Sequence, residues 1–220
     1  MFAACTNAGV PMIYASSAAV YGRDGPFVED GSGDLPLNAY AYSKYLFDCY
    51  VRGYGSGSAS QVVGLRYFNV YGPRQNPIFV VSRGVHRVLN GKSPIVYDSG
   101  EQNRCFTFVD DAIDGMIVAS ESEDAIGEAF NIGSDSPTTI MEVNKMILEL
   151  GDPTGSMNLE SIDTKDLYGS KYEDIGLRVP DIRKANDVLG WSPTTSVREG
   201  ISKTIDWAKN NPHWLSMADQ

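Results

Sequence analysis

The order of segments in the sequence predicts an α/β fold built on a largely parallel sheet, and its length and composition allow one. Short apolar runs alternate with longer stretches of helical periodicity. The 220 residues are enough to bury a sizeable core, as one large domain or one and a half small ones. Hydrophobic residues are 42% and charged residues 21%, the balance of an ordinary globular chain.

The elements follow in order. Pro11 to Ala15 reads as a short buried strand, with Ser16 and Ser17 where it leaves the sheet. Gly22 to Pro36 is rich in Gly, Asp and Pro and reads as a loop. Asn38 can cap a helix reaching about Arg52, with Tyr45, Leu46, Cys49 and Tyr50 as its apolar surface. Gly53 to Ser58 ends that helix as a turn, and Gln61 to Phe68 is the next strand. Ile95 to Tyr97 and Cys105 to Val109 are further strands. Asp110 opens a helix through Ala119, its two acids well placed for the helix dipole. Ala129 to Ile132 is a strand, and Thr138 can cap a helix from about Ile140 to Leu150. Gly151 to Asp174 is polar and irregular, as expected of loops over a ligand. Asp181 caps a short helix stopped by Gly190, and an amphipathic helix spans Val197 to Lys209.

Charge and composition exclude several classes. Lys and Arg number 18 against 28 Asp and Glu, a net charge of -10, which argues against binding a nucleic-acid backbone. An anionic small ligand would need a few arginines concentrated at its site. Cys5, Cys49 and Cys105 are odd in number and widely spaced, which fits reduced thiols rather than a disulfide framework. His86 and His213 are too few for a zinc cluster. Met1 to Val10 has neither the basic lead nor the apolar run of a signal peptide, and no stretch is long and apolar enough for a membrane span. A cytoplasmic location is expected.

Tyr40 and Lys44 are four residues apart, so on a helix they share a face. A phenol is a poor base at neutral pH, and a neighbouring ammonium favours its phenolate. Ser17, at the carboxyl end of a strand, can share a proton with the same substrate oxygen, and such strand ends are where open α/β sheets bind ligands. An isolated Tyr-x-x-x-Lys is common by chance. The weight comes from its following the Tyr14-Ala15-Ser16-Ser17-Ala18-Ala19-Val20-Tyr21-Gly22 segment and preceding Leu65-Arg66-Tyr67-Phe68-Asn69-Val70-Tyr71-Gly72-Pro73-Arg74.

These segments resemble the extended short-chain dehydrogenase/reductase family, in particular its nucleotide-sugar epimerases. The segment Gly100 to Asp111 and the run Arg178-Val179-Pro180-Asp181-Ile182 followed by Leu189-Gly190-Trp191 resemble two further family signatures, so the likeness covers essentially the whole chain. It implies a Rossmann-type doubly wound parallel sheet with a smaller α/β substrate domain. It also implies that Ser17, Tyr40 and Lys44 are catalytic, that Ser16, Tyr40, Lys44 and Tyr67 face a nicotinamide cofactor (NAD or NADP), and that Ala18, Asn69, Arg74, Arg104 and Arg178 hold a nucleotide-diphosphate sugar. Guanidinium forks suit phosphate oxygens. Asp110, Asp111, Asp181, Gly190 and Trp191 are better explained structurally. Family analogy suggests a homodimer through the helix bearing Tyr40.

The implied reaction removes hydride from a sugar carbinol while Tyr40 takes the hydroxyl proton, then returns hydride to the other face. Family dehydratases carry Asp-Glu just after the Ser/Thr position and decarboxylases carry Glu, where this chain has Ala18 and Ala19, so epimerisation is the preferred reading. The first half resembles ADP-heptose 6-epimerases, but Gln75 to Val81 lacks their second catalytic lysine. The carboxyl-terminal signature is nearer UDP-sugar 4-epimerases. Gly53-Tyr54-Gly55-Ser56-Gly57 follows a helix and fails as a dinucleotide loop. With 16 residues ahead of Ser17, the dinucleotide domain is expected to be amino-terminally truncated. The alternatives are a catalytically silent fragment, a sugar-nucleotide-binding remnant, a piece pairing with a separate amino-terminal half, or a decarboxylase or dehydratase relative. The expected domains are residues 1–72 with 105–133 for the dinucleotide part, and 73–104 with 134–220 for the substrate part.

Overall fold

A computed structural model describes residues 1–23, 25–55, 61–165 and 177–219. The chain runs α1 (Phe2–Ala8), β1 (Met12–Ser17), a 3-10 turn (Ala18–Val20), α2 (Ala39–Gly55), β2 (Val62–Tyr67) and β3 (Val70–Tyr71). Then come α3 (Val80–Leu89), β4 (Ile95–Tyr97), β5 (Asn103–Cys105), β6 (Thr107–Phe108) and α4 (Val109–Glu121). It continues through β7 (Ala129–Ile132), β8 (Pro137–Thr139), α5 (Ile140–Gly151) and β9 (Glu160–Ile162), and closes on α6 (Arg183–Leu189), α7 (Val197–Lys209) and α8 (Pro212–Leu215). Two compact units result: Met1–Val70, Asp110–Ser136 and Arg178–Thr194 form the first, and Tyr71–Val109, Pro137–Leu177 and Thr195–Gln220 the second.

In the first unit β1, β2 and β7 form a parallel sheet in that order. The register sets Ser17 beside Tyr67 and Tyr67 beside Ile132, so the three carboxyl ends finish at one edge. Alternation of side chains gives each face its own layer. Met12, Tyr14 and Val62 pack with Phe2, Phe47 and Val51 of α1 and α2. On the opposite face Val63, Leu65, Phe130 and Ile132 pack with Ala112 and Ala119 of α4, Ala185 of α6 and Trp191. Full burial of a side chain such as Leu65 or Phe130 contributes about 1.5–3 kcal/mol. Trp191 is fixed in direction as well, since its Nε1 donates to the Asp111 carbonyl at 3.0 Å. Gly115 is what lets α4 come this close, because a Cβ there would sit 3.1 Å from both Trp191 and Ile132.

The second unit is built around α3, α5 and α7, whose Val85, Val88, Ile147, Ile201 and Ile205 form its core. Two short pairs, β4 with β9 (parallel) and β5 with β8 (antiparallel), flank it. Thr139 and Glu142 make a reciprocal capping box at the start of α5, and Ser196 caps α7 through the Glu199 N–H. Trp214 of α8 packs edge-on against Trp207 and His86, and its Nε1 donates to the Gln75 carbonyl at 2.8 Å.

The α/β architecture with a parallel sheet is as the sequence predicts, and several details differ. β1 runs on through Ser17, so Ser16 and Ser17 lie inside the strand. Thr139, not Thr138, caps α5, because it is the last residue of β8 and its hydroxyl accepts from the Glu142 N–H three residues on. The expected strand at 105–109 divides into β5 and β6 with α4 starting at Val109. The helix α3 was not foreseen. Arg178–Thr194 belongs to the first unit rather than with the rest of 134–220, since Ala185 and Trp191 complete the core beneath α4. Gly53–Gly55 of the expected turn are instead the last residues of α2, and 56–58 of that turn and 166–174 of the expected ligand-covering loops lie outside the described residues. Cys5, Cys49 and Cys105 are free thiols. Among the described residues no helix is long and apolar enough to cross a membrane.

Candidate active site

The carboxyl edge of the first unit's sheet carries Ser17 and Tyr67 at the ends of β1 and β2. Asn38 accepts a hydrogen bond from the Ala41 N–H at 2.9 Å and so fixes where α2 begins. That start places Tyr40 in the first helical turn and Lys44 one turn on. The Lys44 ammonium donates to the Ala15 carbonyl of β1 at 2.9 Å, and its Nζ lies 5.9 Å from the centre of the Tyr40 ring. Ser17 is two residues further along β1, roughly 7 Å at strand rise. Its Oγ accepts from the Ala19 N–H at 3.2 Å, which caps the 3-10 turn and still allows the hydroxyl to donate. Tyr40 is 56% exposed, so its phenol is open to a ligand.

Around this edge, Ser16 is buried with an Oγ that has no hydrogen-bond partner, and Ala18 is buried at the head of the 3-10 turn. Tyr67 ends β2 next to Ser17, and burial pushes its phenol pKa up, keeping it a neutral donor. Asn69 follows with φ 39, a left-handed backbone that Asn accepts more readily than most residues. Arg178 is half-buried in the same unit, its guanidinium 3.5 Å from the Tyr21 carbonyl. Arg74 and Arg104 belong to the second unit. Arg74 is exposed at φ 69, and Arg104 on β5 donates to the Asn103 carbonyl at 2.6 Å. Asp111 is buried, its carboxylate accepting from Thr194 Oγ1 at 3.0 Å, while Asp110 is exposed in the first turn of α4. Asp181 accepts from the Arg183 N–H at 3.0 Å but is not the cap expected of it, since Ile182 is the residue that precedes α6, and Gly190 ends the helix at φ 65.

Sequence reasoning missed a buried ionic cluster beneath this edge. Arg66 of β2 is 1% exposed and Asp48 of α2 is 2% exposed. Arg66 donates from Nε and Nη2 to Asp48 Oδ2 at 3.1 and 2.9 Å. It also reaches Asp34, with Nη2 to Oδ2 at 3.1 Å and an off-line Nη1–Oδ1 approach of 3.0 Å. Arg52 adds a second cation on Asp34 at 3.0 Å. Burial works against the Arg66 charge, but Tyr21, Asp34 and Asp48 outweigh it, so the guanidinium pKa is raised. The Tyr21 ring covers that guanidinium at 4.8 Å, and its hydroxyl donates to Asn131 at 2.7 Å. Asn131 in turn receives the Glu29 carboxylate on its backbone N–H at 2.7 Å, and burial raises the Glu29 pKa. The available signal was Asp48 lying four residues past Lys44.

Residues 1–133 match the NAD dependent epimerase/dehydratase family. The chain belongs to that family. The matched stretch contains every candidate residue except Arg178. Similar to this epimerase/dehydratase-family chain is a UDP-N-acetyl-alpha-D-glucosaminuronate decarboxylase from Bacillus cytotoxicus, 33% identical over 205 residues that cover 89% of this chain and 63% of that protein. The chain therefore spans less than two thirds of that relative's length. A UDP-glucose 4-epimerase from Thermotoga maritima, solved with UDP-glucose, superimposes with a TM-score of 0.84 at 25% identity, over 96% of this chain and 67% of that one. A UDP-glucuronic acid 4-epimerase from Bacillus cereus, in complex with UDP-glucuronic acid and NAD, gives 0.81 at 29% identity, over 95% and 65%. The layered parallel sheet is the Rossmann-type architecture of those structures.

Proposed function

We propose that this chain is the catalytic and substrate-binding part of an NAD-dependent nucleotide-sugar epimerase. The observation that carries the reading is the Lys44 ammonium hydrogen-bonded at the carboxyl end of β1, with the exposed Tyr40 phenol beside it. The residues present fit the nicotinamide end of the cofactor. An ammonium, two phenols and the unpartnered Ser16 hydroxyl are the donor set that ribose hydroxyls and a carboxamide require. When bound, NAD accepts a hydride and gives it back. Tyr40, as the phenolate that Lys44 stabilises, takes the carbinol proton and becomes a neutral phenol, and Ser17 donates to the substrate oxygen. Ala18 leaves room for the sugar ring, Asn69 contacts it, and Arg74, Arg104 and Arg178 hold the diphosphate. Returning the proton from Tyr40 completes inversion with no net redox change.

The test is incubation with UDP-glucose or UDP-glucuronic acid and NAD, with the 4-epimer read by NMR. Epimer formed by the wild-type chain and lost in Tyr40→Phe supports the reading. Absence of both turnover and nucleotide-sugar binding overturns it.

A second reading is favoured by the decarboxylase that is 33% identical over 89% of the chain. Release of carbon dioxide from a UDP-uronic acid, with no epimer, would select it. Two partner proposals accompany the first reading. β1 is an end strand of its sheet, and Ile113, Met116 and Ile117 of α4 are exposed, which supports pairing with a separate amino-terminal half bearing the dinucleotide loop. Tyr42, Leu46 and Tyr50 form an exposed stripe on α2, which supports a homodimer through that helix. Sedimentation of the Leu46→Glu variant tests the dimer.

A further inference from the structure

Tyr40, Lys44 and Asp48 follow each other at successive turns of α2. The first two are the acid-base pair, and the third is buried in the ionic cluster on β2. Lys44 joins the helix to β1 through Ala15, and Asp48 joins it to β2 through Arg66. Asp34 ties the same guanidinium to the loop between β1 and α2, while Arg52, one turn past Asp48, holds Asp34 from the helix side. Across the sheet, Ser16, Arg66 and Asn131 stand in register as one buried polar row. Asn131 is itself held, with Nδ2 donating to the Phe27 and Asp181 carbonyls at 2.9 and 3.0 Å.

Such a cluster is a poor device for stability. Desolvating two carboxylates and a guanidinium costs about as much as their attraction returns, and apolar residues of similar volume often do as well. What one guanidinium shared between two carboxylates provides is registry: Nε and Nη2 converge on Asp48 Oδ2 while Nη2 also reaches Asp34 Oδ2, so sliding or rotation of α2 breaks directional contacts. An apolar contact would tolerate sliding.

We infer that Arg66 is a positioning residue, which sets the height and rotation of α2 through Asp48 and Asp34 and thereby aims Tyr40 and Lys44 at the carboxyl edge of the sheet. The inference rests on the acid-base role proposed for Tyr40, and its readout does not depend on turnover alone. A misplacement of about 1 Å at a reacting group is enough to cost on the order of 100-fold in rate.

The test compares wild type, Arg66→Lys and the apolar double variant Arg66→Met/Asp48→Leu. Arg66→Lys keeps the charge and loses the fork. Its kcat is expected to fall by about 10- to 100-fold, with KM for the nucleotide sugar within about two-fold. Hydrogen exchange should quicken over residues 40–48 by about 10-fold while α6 of the same unit exchanges as before. The double variant should melt near wild type yet keep the low kcat and the fast α2 exchange. Three results overturn the inference: unchanged kcat and α2 exchange in Arg66→Lys, exchange that rises equally in α2 and α6, or wild-type kcat in the double variant. If Arg66→Lys does not fold, the double variant decides. If wild type itself has no turnover, the proposed reaction fails, and the exchange comparison still settles whether Arg66 positions the helix.

Discussion

Tyr40 and Lys44 occupy adjacent turns of one helix, and the ammonium is held against β1 by the Ala15 carbonyl. Replacing Tyr40 with Phe removes one oxygen and leaves the ring, so nucleotide-sugar affinity by calorimetry should stay within about two-fold while turnover falls by at least about 100-fold. Ser17→Ala should lower kcat by a similar order and also free the Ala19 N–H, a loss visible as a small drop in melting temperature. The pair was legible in the sequence because a spacing of four fixes a shared helix face whatever the surroundings. Arg66 was not, although it stood within a segment already picked out. Its partners Asp48 and Asp34 are 18 and 32 residues away, and no local spacing brings a strand residue to them.

Helix ends carried the clearest signals among the elements. Ser196 and the apolar period that follows it define α7 to the residue as expected, Val197–Lys209. At α5 two threonines compete for the cap, and Thr139 is selected as the last residue of β8, where it and Glu142 form a reciprocal box. Thr139→Ala should cost about 0.5–2 kcal/mol in a urea melt, and Thr138→Ala much less. The helix α3 escaped notice because Val80, Val81, Val85 and Val88 are β-branched and Gly84 interrupts them. Burial of Val81, Val85 and Val88 at intervals of four and three overrides that propensity. The loop between β1 and α2 offers a pH test. Burial raises the Glu29 pKa above its ordinary value of 4.5, so the folded chain holds that proton more tightly than the unfolded one. Stability from this group is full below 4.5 and is lost as pH rises through the raised folded value. Glu29→Gln keeps the acceptor for the Asn131 N–H and cannot ionise. Its melting temperature should match or exceed wild type at pH 7 and vary less with pH above 4.5.

At the scale of the whole molecule, the chain is two compact units whose sequence segments interleave three times. The alternation of strands and helices revealed the α/β class, but the allocation of Arg178–Thr194 depended on where Trp191 packs, which lies 80 residues from its hydrogen-bond partner Asp111. Trp191→Ala should destabilise the chain by about 3–5 kcal/mol, seen in a chemical melt. A nucleotide sugar that binds only the folded chain should stabilise it by about 2.7 kcal/mol at a free concentration of 100 times Kd. Failure of UDP-glucose, UDP-glucuronic acid and ADP-sugars alike to raise the melting temperature would contradict the proposed substrate class.

The Lys44 bond to Ala15 has one more consequence. Met12 bonds through its N–H to Gln61 on the β2 side, so by strand alternation the Ala15 carbonyl faces the outer rim of β1. A strand rim left without a partner is a template on which stray chains stack into insoluble fibrils, and lysines are one way proteins blunt it. Lys44 occupies one acceptor on that rim, so Lys44→Met should show earlier light scattering on incubation at 37 °C than Tyr40→Phe, which leaves the ammonium in place.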